Sequence, residues 1–140
     1  MSQAISNRDA YYELSCYTLA HGHPSFIHQH VVDAFAAQEA DENTKPIALT
    51  FALAGLYLHV EKRQTGRQVQ RAHMKMAQRK RQWPAFSLPR ERGTITAVDV
   101  LRAAPGEERD RAIDSWCAAV WDAFSGNRDV VVGLLAEYGL

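Results

Sequence analysis

The stretch "KPIALTFALAGLYLHVEK", residues 45–62, decides the fold. Its apolar residues fall on every side of a helix and leave no polar stripe for solvent, so this helix belongs at the centre of a bundle. Thr44 is placed to cap it, and Pro46 is tolerated in the first turn, where its missing N–H loses no partner. Gly55 removes a side chain at mid-helix and lets a neighbour approach closely. The apolar run from Pro46 to Leu58 is shorter than the roughly 20 residues that cross a bilayer, which argues against a membrane role.

Working outward, helix punctuation recurs and strand signals are nearly absent. Ser6 precedes "NRDAYYELSCYTLAHG" (7–22), which Gly22 stops. Pro24 and Ser25 open "FIHQHVVDAFAAQEAD" (26–41), in which Ile27, Val31, Ala34, Phe35 and Gln38 recur at helical spacing. Thr65 and Gln68 form a capping box for "GRQVQRAHMKMAQRKR" (66–81). There Val69, Ala72, His73, Met76 and Ala77 make one stripe, and Arg67, Arg71, Lys75 and Arg79 lie on the opposite faces. Pro84, Pro89 and Gly93 then break helicity, predicting an extended strap over 82–93 pinned by Trp83, Phe86 and Leu88. Thr96 with Asp99 caps a short helix from Ala97.

After Pro105 and Gly106, Ile113, Trp116, Cys117, Val120, Trp121 and Phe124 keep helical spacing throughout, so Trp116 and Trp121 should pack on the central helix. Gly126 stops this helix, and Asn127 can cap a last one bearing Val131, Leu134, Leu135 and Tyr138. The expected fold is all-α: one domain over 1–140, a compact bundle of six or seven helices around the apolar helix 46–61.

Composition narrows the function classes. The chain has 140 residues, 46% apolar and 23% charged, which suits a globular protein and not a disordered one. Sixteen basic residues balance sixteen acidic ones, so no global field draws the chain to nucleic acid or membrane; no membrane partner is expected, and any attraction to nucleic acid would have to be local. Cys16 and Cys117 are far apart and form no CxxC pair, which fits two reduced thiols in the cytoplasm. A small molecule or a protein partner remains open, as does an oligomer.

Four of six histidines crowd "HGHPSFIHQH", residues 21–30. On a helix begun at Ser25, His28 borders the Ile27/Val31/Phe35 stripe and should point inward to a side chain of the first, third or fourth helix. His30 should point far from that stripe, and His21 and His23 should sit in a solvated turn. No local metal signature such as HExxH is present, and no cofactor is evident. A divalent metal would need ligands gathered from several helices, with Glu13, His28, His59, Glu61 and His73 as candidates.

Together, "IHQHVVDAFAAQ" and "LAGLYLHVE" resemble a bacterial family catalogued as a domain of unknown function. The resemblance extends more loosely through "GRQVQRAHMKMA", "TAVDV" and "VWDAF", and it places His28, Gln29, Asp33, Gln38 and Glu61 on motif positions. His59 departs from the aliphatic residue the family pattern has there. The resemblance implies membership and no chemistry. With the helix geometry it suggests a polar pocket centred on His28 that binds a small ligand or a divalent metal, with enzymatic activity left open. The alternative is a binding module whose basic surface, residues 67–92, meets an acidic partner or nucleic acid.

Overall fold

A computed structural model describes residues 5–140, and among them the chain forms seven α-helices and no strand. Helix α1 (Asn7–His21) starts where the Ser6 hydroxyl accepts the Asp9 N–H at 3.0 Å. It ends at Gly22, whose φ of 56° lies in the left-handed region that glycine enters at no steric cost. Helix α2 (His28–Gln38) begins later than the Pro24–Ser25 signal predicts. The reason is local: Phe26 has a φ of 55°, which no helix accommodates.

Helix α3 (Pro46–Val60) is preceded by Lys45, and no side chain caps it. Thr44 does not serve as the expected cap, because its hydroxyl turns back to accept the Asp41 N–H at 3.0 Å. Helices α4 (Gly66–Ala77) and α5 (Ala97–Arg102) both carry the predicted capping boxes, Thr65 with Gln68 and Thr96 with Asp99. Helix α6 (Glu107–Ala123) runs through a 3₁₀ turn at Ser125–Asn127 into α7 (Arg128–Glu137).

The central position of α3 is as its sequence requires. It packs against α2, α4, α6 and α7, and its side chains from Ala52 to Leu58 are buried without interruption. Helix α1 lies on α2 and α5, and α5 on α6. The two tryptophans of α6 divide their duties. Trp121 meets α3, with its ring 5.9 Å from Tyr57 and its N–H donated to Glu61. Trp116, fully buried, donates instead to Gln38 Oε1 of α2 at 3.0 Å.

Residues 78–96 cross between α4 and α5 without regular structure. Trp83 packs edge-on to Phe51 at 5.4 Å, and Phe86 also rests on the core. Leu88 does not pin the strap as expected, since it is exposed. That work falls to Asn127, which is spared from capping α7. Its Oδ1 accepts the Ser87 N–H at 2.9 Å while its Nδ2 donates to the Ser87 carbonyl at 2.8 Å.

Candidate functional site

The arrangement of α2 departs most from its sequence reading. His30, expected to point away from the core, is 2% exposed and shares its buried face with Val31, Asp33, Ala34 and Ala37. Two alanines on that face let α3 and α6 close in from both sides, so the helix buries a wider arc than its bulky stripe marks. His30 thereby reaches the ring of His59 on α3, and the two imidazoles stack at 3.5 Å with planes 16° apart.

These rings line a cavity of about 290 Å³, together with His23, Ile27, Arg63, Asp110 and Asp114. Asp110 and Asp114 are one turn apart on α6 and so face the same way. Each is held by a partner. The Tyr17 hydroxyl donates to Asp110 Oδ1 at 3.1 Å, and His59 Nε2 lies 2.9 Å from Asp114 Oδ1. Nδ1 of His59 lies 3.2 Å from the Gln64 carbonyl. Both nitrogens of His59 thus face acceptors. The hydrogen bond from His59 holds the Asp114 carboxyl below the usual carboxylate range.

Across the cavity, His23 Nδ1 accepts the Ser25 N–H at 3.0 Å, which puts the ring proton on Nε2, 3.9 Å from Asp110 Oδ2. His23 is accordingly half-buried at the cavity's edge and not in the solvated turn expected for it. His30 is different in kind. Burial, and secondarily the neighbouring His59, push its pKa down to about 3, so the ring is neutral at pH 7. Its Nδ1 is buried with no hydrogen-bond partner among the described residues. The cavity is therefore lined by one neutral imidazole, with an unpartnered buried nitrogen, beside two oriented carboxylates. Arg63, on its lining, has a φ of 56°. Phe26, with its φ of 55°, sits between the lining residues Ser25 and Ile27. These are the chain's two positive-φ residues other than glycine among those described, and both border this one cavity.

The residues singled out from sequence lie elsewhere. His28 does turn to α1, as expected. The Thr18 hydroxyl donates to the Leu14 carbonyl and lies within hydrogen-bond distance of His28 Nδ1 at 2.9 Å, while partial burial lowers the His28 pKa. Gln29 Nε2 donates to Asp33 Oδ1 at 3.1 Å. Asp33 is fully buried, which raises its pKa well above the carboxylate range, and its Oδ2 has no hydrogen-bond partner among the described residues. It fits because Gly55 of α3 has no side chain: a methyl there would stand 1.9 Å from Oδ2.

Gln38 is a tie within the fold, accepting from Trp116 and donating to the carbonyls of Arg92 at 3.1 Å and Ile95 at 2.7 Å. Glu61 accepts from Trp121 Nε1 at 2.7 Å and from both Nε and Nη2 of Arg128, which holds its carboxyl below its ordinary range. His73 donates from Nε2 to the Phe51 carbonyl at 2.8 Å, and Glu13 is exposed on α1. Of the five metal candidates, Glu13 is exposed, and His28, His59, Glu61 and His73 point to separate partners. Among the described residues no group of three or more His, Cys, Asp and Glu side chains is arranged to hold a metal ion. Of all the sequence candidates only His59 lines the cavity. His23, His30, Arg63, Asp110 and Asp114 were missed, because each joins it through a tertiary contact and not through a local pattern.

Fold and cavity together define an all-helical bundle with a polar, titratable pocket between its second, third and sixth helices. By sequence the chain belongs to the family of unknown function DUF5946, which it matches over residues 8–125. No curated protein and no solved structure matches it. No helix among the described residues is long and apolar enough to cross a membrane.

Proposed function

We propose that the protein binds a small polar ligand in the cavity bordered by His23, His30, His59, Arg63, Asp110 and Asp114. The observation that carries this reading is His30: a buried imidazole with an unpartnered nitrogen, in a wall where His23, His59, Asp110 and Asp114 are held in place. Buried polar atoms in folded proteins are nearly always paired, and an unpaired one at a cavity is a natural place for a ligand to supply the bond. A neutral imidazole offers one donor and one acceptor nitrogen, so the ligand contributes a hydroxyl, amide or amine. His59 is a poor general base in this arrangement, because both its nitrogens are engaged. It serves to orient Asp114 and to stack on His30. The pocket of this reading is centred on His30 and not on His28.

The two free thiols, one exposed and one buried, fit a reducing compartment, and we place the protein in the cytoplasm. The test is a thermal-shift panel of amino acids, short carboxylates, nucleosides and sugars, with zinc and manganese ions included. A compound that raises the wild-type Tm should fail to do so with His30→Gln and Asp114→Asn, and should shift the ring ¹⁵N resonances of His30. Binding that leaves the His30 ring unmoved refutes the assignment. Stoichiometric uptake of a metal that moves both His30 and His59 would make the ligand an ion.

A further inference from the structure

The balanced net charge conceals a segregated one. Residues 62–92 hold ten of the sixteen basic side chains and a single acidic one, Glu91. On α4, Arg67, Arg71 and Lys75 follow one another at four-residue intervals, so they stay within an arc of about 80° and rise about 6 Å per step. Arg79 continues the row two residues past the helix end. All four are exposed.

Acids are abundant in the chain, yet this row is not neutralised. Among the described residues, Arg67, Arg71, Lys75, Arg79 and the adjacent Lys80 form no ion pair, whereas Arg81 pairs with Glu137. Two of the guanidiniums are held by groups that leave their charge intact. Arg67 lies over the Phe26 ring at 5.2 Å. Arg79 lies over the Tyr138 ring at 4.6 Å and donates to the Glu137 carbonyl at 2.9 Å. The row is therefore held at its two ends and carries no neutralising carboxylate among the described residues.

We propose that this face of α4 docks on the phosphate backbone of double-stranded nucleic acid, independently of base sequence. Charge complementarity calls for a partner with regularly repeated negative charge. A protein partner would want an apolar centre to the interface, and along the row only Met74 offers exposed apolar surface. Arginine, three of the four residues, matches phosphate with its planar fork. Single strands are gripped by stacking bases on free aromatic faces. Here the aromatics beside the row carry the chain's own cations: Phe26 under Arg67, Tyr138 under Arg79, Trp83 beside Arg81. Backbone contact to a duplex needs no such platform.

The experiment is fluorescence anisotropy of a labelled random-sequence DNA duplex with the intact protein, across a salt series. Four phosphate contacts at about 0.9 counterions each predict a log–log slope near −3.6, or roughly a hundredfold loss of affinity between 50 and 200 mM salt. Arg67→Glu, Arg71→Glu and Lys75→Glu together should cut the slope to about −1 and weaken binding more than tenfold. Arg102→Glu with Arg111→Glu, elsewhere on the surface, should change neither. Circular dichroism verifies that each variant keeps its helices, and Gln replacements at the same three positions guard against misfolding from reversed charge. Four results overturn the proposal: no binding at low salt, the same slope in the triple variant, tighter binding of a single strand than of the duplex, or more effective competition by polyglutamate than by unlabelled duplex.

Discussion

The contact between Asp33 and Gly55 gives the sharpest test of the packing described above. In Gly55→Ala the new methyl would lie 1.9 Å from Asp33 Oδ2, 2.6 Å from Cγ and 3.2 Å from His73 Nε2. Non-bonded heavy atoms are comfortable at about 3.5 Å, so the carboxyl would have to retreat by more than an ångström. It has nowhere to go: Asp33 is 3% exposed, and Gln29 holds its other oxygen. Overpacking of this kind costs about 1–3 kcal/mol, and loss of the Gln29 bond adds about 1 kcal/mol. Alanine's better helix propensity returns about 0.8–1.0 kcal/mol, leaving a net destabilisation of about 1–3 kcal/mol. Asp33→Ala alone should also destabilise, by about 1–3 kcal/mol, because it leaves the Gln29 amide without its partner. In the double variant the alanine methyl fills space the carboxyl has vacated, so the two losses should fall short of their sum by about 1–2 kcal/mol. Urea unfolding with a constant m-value measures all three. If Gly55→Ala is neutral or stabilising, or if the double variant is additive within about 0.5 kcal/mol, the close approach of α2 and α3 at this point is refuted.

Three further outcomes follow from the buried polar groups. The folded-state pKa of His30, about 3, lies below the ordinary value of 6.5, so as pH falls from about 6.5 toward 3 the unfolded chain binds a proton that the folded one resists. Stability should therefore drop over that interval, on the order of 4 kcal/mol by its lower end. His30→Gln, facing the same His59, Asp114 and His23, should flatten the profile in urea midpoints taken across pH. Asp33 acts in the opposite sense. Its raised pKa adds stability that is complete below about pH 4 and lost as pH rises through the folded-state value, and Asp33→Asn should abolish that loss. Gln38→Ala removes the acceptor of a buried indole N–H and the donor to two strap carbonyls, and should cost about 1–3 kcal/mol. Hydrogen exchange at strap amides should quicken in that variant, and unchanged protection would show that the strap is held by other means.

What the sequence made legible was whatever is local. Ser6, Thr65 with Gln68, and Thr96 with Asp99 bond to backbone within three residues, so their patterns identify helix starts without reference to the fold. The all-round apolar helix could only be central, and the gap at Gly55 announced a close neighbour without saying which. Thr44 and Asn127 carried equally good cap signals and failed, since a turn and a strap offered their side chains better bonds. The site was much less visible. Bulky residues mark a stripe, and on α2 they drew attention to Ile27, Val31 and Phe35, whereas His30 is buried because Ala34 and Ala37 are small enough to admit α3 and α6. Asp110 and Asp114 look like solvent-facing acids of an amphipathic helix until Tyr17 and His59 arrive from distant parts of the chain.

The strap between α4 and α5 has a consequence for how the molecule could be divided. It has no helix of its own and is tied down by a few side chains, Gln38, Arg92 and Asn127 among them. Everything before it supplies α1 to α4, everything after it supplies α5 to α7, and the core is made where α3 meets α6 and α7. A chain cut within the strap would thus yield two pieces carrying complementary halves of one interior. Neither piece could bury Leu53 or Trp116 by itself, and each would acquire its shape only on meeting the other.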